Sequence, residues 1–310
     1  MSETKGNKGL GILYILGAAL GFAAMNLFVS LAGELPTMQK VFFRNLFAAI
    51  IVFFILLTQK EKFHIQKGCL PWLFLRAIAG FIGVILNFYA IDHIGSISDA
   101  SILNKLSPFF AIVCSIFLLR EKPKPLEIAL VVIAFGGAMF VVRPTFDVSV
   151  LPAFSGFLSG AFAGFAYTCV RILGKKGERG LMTVFFFSAF STLISLPFFI
   201  LQYTPMSLLQ FLYLVLAGVS ATVGQFFITA AYRHAPAKEI AVFDYAQVLF
   251  AAVLGYFFLS QIPDILSYVG YAIIIGAAIA RCLLHLYEKK KATAEANTTA
   301  ESQKNENHLP

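Results

Sequence analysis

Lys105 and Asp244 are ionisable side chains set in the middle of long apolar runs. The runs that hold them are copies of one another. Residues 96–122 (SISDASILNKLSPFFAIVCSIFLLREK) align without gaps on 236–262 (PAKEIAVFDYAQVLFAAVLGYFFLSQI) at a shift of 140 residues. Asn104 then matches Asp244, Lys105 matches Tyr245, Asp99 matches Glu239 and Glu121 matches Gln261. Each charge lies eight or nine residues into its run. At about 1.5 Å per residue that is about 12–14 Å into a hydrocarbon core about 30 Å thick, approached from opposite faces. Either charge left facing lipid costs at least about 2.5–3.5 kcal/mol, so both should face protein. Two roles stay open for them: holding a substrate or ion, zwitterions included, or pairing with each other as a permanent structural link. Asp244 could also carry protons, if its exposure alternates between the two faces.

Other side chains could contribute to the same chemistry. Arg44, followed by Asn45, is about two turns inside the second apolar run and is suited to meet an anionic group. Arg76 lies within two turns of the end of the third run, where a long side chain can snorkel to the headgroups. Asn26, Asn87, Tyr89, Tyr167, Gln225, Phe243, Tyr245 and Gln247 would give a planar or amphiphilic metabolite stacking surfaces and hydrogen bonds. Taken singly, such residues more often serve helix–helix contacts. Tyr245 and Gln247 stand out because they flank Asp244. Lys105, Asp244, Arg44, Tyr245, Gln247, Asn87, Tyr89 and Tyr167 form the candidate substrate-binding set.

The elements that must position these residues follow from composition. Apolar residues make up 59% of the 310-residue chain and charged residues 13%, with 34 Phe. A soluble domain has about 45–50% and about 25%, so the solvent here is lipid. Ten runs are long enough to span a bilayer as helices: 9–32, 38–58, 70–91, 96–119, 125–142, 151–173, 181–202, 207–232, 236–260 and 264–286. Helix-ending residues punctuate them, as at Gly33–Pro36, Lys122–Pro125, Arg143–Pro144 and Ile262–Asp264. The boundary between runs eight and nine, Arg233 to Lys238, is the least sharply marked. Lys60, Lys62, Lys67, Lys122, Lys175 and Lys289–Lys291 fall on one side with the N-terminus, whereas the other side receives little beyond Lys40 and Arg143. That bias places both termini in the cytoplasm. The formal charge of +8 then reflects topology and attraction to anionic inner-leaflet lipid.

Ten runs divide five and five. The opening runs also match, at a shift of 143: Gly17, Gly21, Phe22 and Ala23 against Gly160, Gly164, Phe165 and Ala166. An odd number of spans per copy turns the second copy upside down, the inverted-repeat plan of secondary transporters, with a site between the halves. The expected fold is an all-α membrane protein of ten transmembrane helices in two inverted five-helix repeats, residues 9–143 and 151–286. A cytoplasmic segment, residues 1–8, precedes them, and a disordered cytoplasmic tail, residues 288–310, follows.

Several functions are excluded. The connections are too short for an extramembrane catalytic domain. No paired carboxylates, HExxH or Ser/His dyad lies within the spans, so no enzyme is expected. The glycine-rich runs lack the lysine and strand of a phosphate loop, which rules out direct ATP drive. The four cysteines show no CxxC spacing, so neither a metal site nor a disulfide framework is expected, and no cofactor is implied. No basic groove-reading face offers itself to nucleic acid.

Residues 99–122 resemble the fourth helix of EamA-type members of the drug/metabolite transporter superfamily. Pro108 stands at that family's mid-helix proline and Glu121 at the glutamate of its cytoplasmic end, and Arg44 matches a frequent arginine of the second helix. The resemblance spans Gly9 to about Leu286. It implies an inner-membrane, multi-pass carrier, usually an exporter of amino acids, nucleoside-like metabolites or toxic compounds, often proton-coupled. It also implies a central cavity within spans one, three, four, six, eight and nine. The second repeat departs from the pattern, with Val248 at the proline and Gln261 at the glutamate. Glu121 is therefore expected to be structural, paired with Arg120 or Lys122. The expected function is alternating-access transport of small organic solutes, amino acids and their derivatives first (S-adenosylmethionine-like compounds included). The rival is a non-transporting membrane scaffold or sensor. The expected partners are the small-molecule substrate, protons and the lipid bilayer, with oligomeric state left open.

Overall fold

The computed structural model describes residues 8–61, 63–93, 103–142, 150–259, 263 and 265–306. Arg143–Pro144, Asp99, Gln261 and the opening of span four lie outside them. The regular elements among the described residues are all helices, with no strand. In chain order the helices are α1 (Lys8–Leu31), α2 (Thr37–Leu57), α3 (Leu70–His93), α4 (Ser107–Leu119), α5 (Pro125–Val142), α6 (Val150–Lys175), α7 (Gly180–Leu201) and α8 (Leu208–His234). A short α9 (Ala237–Ile240) then runs through a 3-10 turn (Ala241–Tyr245) into α10 (Ala246–Leu259), and α11 (Ile265–Glu306) closes the chain. Eight segments are long and apolar enough to cross a membrane, and Ser107–Leu119 and Pro125–Phe140 are shorter apolar helices. The ten expected runs thus each have a helical counterpart.

Helix ends are set by local chemistry. α8 opens on a capping box in which the Ser207 hydroxyl accepts from the Gln210 amide and the Gln210 side chain accepts from the Ser207 amide. It ends at His234, where Ala235 turns extended ahead of Pro236, so the weakly marked boundary between runs eight and nine is a proline-directed stop. α11 continues through the polar stretch and reaches Glu306. Ala, Glu and Lys dominate its first polar turns, and these are strong intrinsic helix formers that extend a helix already nucleated by the apolar span.

Packing follows the repeat. α1 lies along α8 and α3 along α6, and these two pairings exchange when the first five spans are mapped on the second five. α2 packs on α7 and α5 on α11, each helix against its own counterpart. Small residues let the backbones approach: a methyl at Gly21 would come within 2.7 Å of the Gly224 nitrogen, and one at Gly164 within 2.6 Å of the Ala111 nitrogen. The halves are also joined by charge. Arg281 on α11 donates to Glu127 on α5 at 3.0 Å, with both side chains buried. Glu121, just past α4, is held by Arg171 (3.5 Å) and Lys175 (3.3 Å) of α6, not by Arg120 or Lys122. Arg120 adopts a left-handed conformation (φ 54°) where the chain leaves α4, and the turn presents Glu121 to the neighbouring helix.

Candidate functional site

Span four is not one continuous helix. Leu103 and Asn104 are helical, Lys105 and Leu106 form a turn, and α4 restarts at Ser107. Pro108 is the cause: it has no amide hydrogen to give the Asn104 carbonyl, and its ring crowds that carbonyl. The amide of Phe109 turns to Leu106 (3.0 Å), which frees the carbonyl of Lys105. That carbonyl accepts from the Tyr245 hydroxyl at 3.0 Å. Span nine is irregular at the matching place, the 3-10 turn Ala241–Tyr245, and so presents Asp244 and Tyr245 inward. Two repeat-equivalent residues, Lys105 and Tyr245, therefore meet directly. Broken helices at a repeat interface are how membrane proteins bring backbone and charge to a central site.

The Lys105 ammonium donates to Gln247 Oε1 (2.6 Å) and lies 3.4 Å from Asp244 Oδ2. Of the two open roles for these charges, the pair is formed in this structure. Both residues also border a cavity of about 130 Å³, together with Asn104, Ser107 and Gln247 from the broken spans. Arg44, Arg76, Asn26, Asn87, Tyr167, Phe187 and Gln225 add to its polar and aromatic lining.

Arg44 reaches the cavity from α2 and is only 5% exposed. Its Nε points at the sulfur of Met25 (3.1 Å), a weak acceptor, and its Nη1 has no partner. Asn45 turns away and donates to the Val41 carbonyl of its own helix (2.9 Å). Arg76, for which snorkelling to the headgroups was one of two open readings, turns inward: it is 3% exposed and lines the cavity. Its guanidinium lies 4.2 Å from the centre of the Phe187 ring and donates to Gln225 Oε1 at 3.0 Å. Gly80, one turn along α3, makes this possible, because a methyl there would collide with the Arg76 guanidinium and come within 2.8 Å of Phe187. The spacing Arg76-x-x-x-Gly80 was the available sequence signal.

Of the expected set, Lys105, Asp244, Arg44, Gln247, Asn87 and Tyr167 border the cavity. Tyr167 also stacks on Tyr232 with ring centres 5.0 Å apart. Tyr245 does not border it: it is fully buried behind the broken helix it braces. Tyr89, half-buried on α3, is not a lining residue either. Three cationic side chains and one carboxylate thus face the cavity, and one of those cations is already paired.

The model of the EamA-like transporter family matches the chain twice, over residues 9–143 and 151–280. The pseudopaline exporter CntI of Pseudomonas aeruginosa is 33% identical over 273 residues, covering 87% of this chain and 95% of that protein. Human solute carrier family 35 member G1 is 26% identical over 298 residues, covering 91% and 81%. A crystal structure matches the fold with a TM-score of 0.74 at 15% identity, over 88% of this chain and 96% of its own. Duplicated apolar helices, a central polar cavity and these relatives agree: the chain belongs to the EamA-like transporter family, within the drug/metabolite transporter superfamily.

Proposed function

We propose that the chain is a ten-span secondary transporter that moves small organic metabolites through the cavity between its two repeats by alternating access. The observation that carries this reading is the polar cavity bounded by the breaks in spans four and nine, one from each repeat. Five spans per copy make the repeats inverted, and rocking of one half against the other exposes such a cavity to each side in turn. The clustering of basic residues puts both termini in the cytoplasm, and the membrane is the inner, or plasma, membrane. Export is the favoured direction, in keeping with a relative that is named an exporter. The substrate is an amino acid, a derivative of one, or a compound of comparable size. Asp244 is the carboxylate that faces the cavity among the described residues, so it is the group through which protons would couple.

Purified protein reconstituted into liposomes tests this directly. Counterflow of a labelled solute, abolished in Asp244→Ala and absent from protein-free vesicles, is the expected result. Vesicles that bind solutes from a broad metabolite panel but never exchange them would favour a scaffold or sensor instead. With a pH gradient imposed, Asp244→Asn should lose gradient-driven accumulation while keeping some exchange.

A further inference from the structure

We infer that the cavity is built for a compact organic dianion, a dicarboxylate or a phosphate monoester, gripped by the guanidinium groups of Arg44 and Arg76. This rests on the reading of the cavity as the transport site and assigns that site its substrate class. The inference starts from what the three cations lack or have. Lys105 is neutralised by Asp244 and capped by Gln247. Arg44 and Arg76 have no ion pair among the described residues, yet both are at least 95% buried. Nη1 of Arg44 and both Nε and Nη1 of Arg76 are buried without a hydrogen-bond acceptor.

Buried charges without partners are costly, and cationic guanidinium groups cannot escape the cost by losing a proton. The neighbours that do touch these groups hold them in place without neutralising them. Met25 offers a sulfur, Gln225 one carbonyl oxygen, and Phe187 the face of its ring. Arg44 Nη1 and Arg76 Nε and Nη1 are left as donors without an acceptor, and a guanidinium is the cation best suited to a carboxylate or phosphate.

Number and placement set the valence. Two uncompensated positive charges face one cavity, so a monoanion leaves one of them unpaired and a dianion leaves neither. Arg44 lies seven residues into α2 and Arg76 six residues into α3, and these consecutive helices start at opposite ends of the bundle. Their backbone anchors are therefore about 10 Å apart along the bundle axis, a gap that two long side chains converging on one molecule can close. The volume of about 130 Å³ suits a compact ligand. It is below the roughly 300–1,000 Å³ of pockets for drug-sized ligands and close to that of a benzene-sized cavity. A four- or five-carbon diacid or a three-carbon phosphate ester matches that scale. The amides of Asn26 and Asn87 remain for its neutral polar groups.

The test uses the full chain in lipid nanodiscs, titrated calorimetrically with succinate and glycerol 3-phosphate. Butyrate and 1,4-diaminobutane serve as the monoanionic and cationic controls of similar size. At least one dianion should bind, and the controls should bind at least tenfold more weakly. Arg44→Gln and Arg76→Gln should each raise the dianion Kd by about 10- to 100-fold. Should either variant fail to fold, Arg44→Lys and Arg76→Lys keep the charge but lose the fork, and a several-fold rise in the same Kd is expected. Dianion affinity equal to that of butyrate, or unchanged in every arginine variant, overturns the inference. Proteoliposome exchange separates its fate from that of the carrier reading. Exchange of a neutral or cationic solute with no dianion binding sinks the dianion and leaves the carrier standing. Tight dianion binding without exchange does the reverse.

Discussion

At Gly80 the absence of one methyl group decides where a cation sits. Alanine there would push on the Arg76 guanidinium and on the Phe187 ring together. Gly80→Ala is expected to cost about 1–3 kcal/mol in thermal unfolding and to weaken solute binding at least tenfold. Calorimetry on the variant reads both, and unchanged affinity would show that Arg76 needs no such niche. Tyr245 acts by a different route. Its hydroxyl satisfies a carbonyl that the break in span four leaves open, so Tyr245→Phe should cost about 1–3 kcal/mol without altering which solutes bind. At this scale the sequence was informative about charge and poor about direction. Lys105, Asp244 and Arg44 could be singled out because a charge in an apolar run demands a protein partner. Arg76 was left open between headgroups and interior because depth alone cannot tell a snorkelling side chain from one folded inward over a glycine. Tyr245 was read as a ligand contact because an aromatic next to a charge looks the same whether it faces a cavity or braces a backbone.

Helix continuity is the property that matters at the scale of the element. The break in span four was legible in Pro108, although its consequence, a freed carbonyl at Lys105, needed coordinates. Its counterpart in span nine was not legible, since Val248 stands where a second proline would be and the 3-10 turn forms without one. Tertiary contact holds that turn in place, with Tyr245 bonded to the other repeat. Pro108→Ala restores an amide donor to span four and is expected to straighten it. The variant should be at least as stable as the parent in thermal unfolding, while proteoliposome exchange falls by tenfold or more. Equal exchange rates would mean that the break has no part in transport. In the last helix, good helix formers attached to a formed span continue it through the polar stretch to Glu306.

For the whole molecule, the pairing of helices across the two halves was foreseeable from the repeat, whereas the ion pair that ties α5 to α11 was passed over. Glu127 and Arg281 are both buried, 3.0 Å apart. Removing one member strands the other, so Arg281→Met should destabilise by about 3–5 kcal/mol, and adding Glu127→Gln to it should recover much of the loss. A double-mutant cycle on thermal unfolding measures the coupling, and purely additive effects would show the pair to be incidental.

The meeting of Lys105 with Tyr245 bears on why the two copies differ at their centre. In a symmetric dimer of a single five-helix unit, a residue on the two-fold axis faces its own image. The position now shared by Lys105 and Tyr245 would there have to satisfy itself, and two lysines would set ammonium against ammonium in a dry interior. One side can supply an open carbonyl and a cation while the other supplies a hydroxyl only when the two copies are free to differ. Two copies within one chain have that freedom, and the asymmetry at the centre of this protein is something two identical copies could not hold.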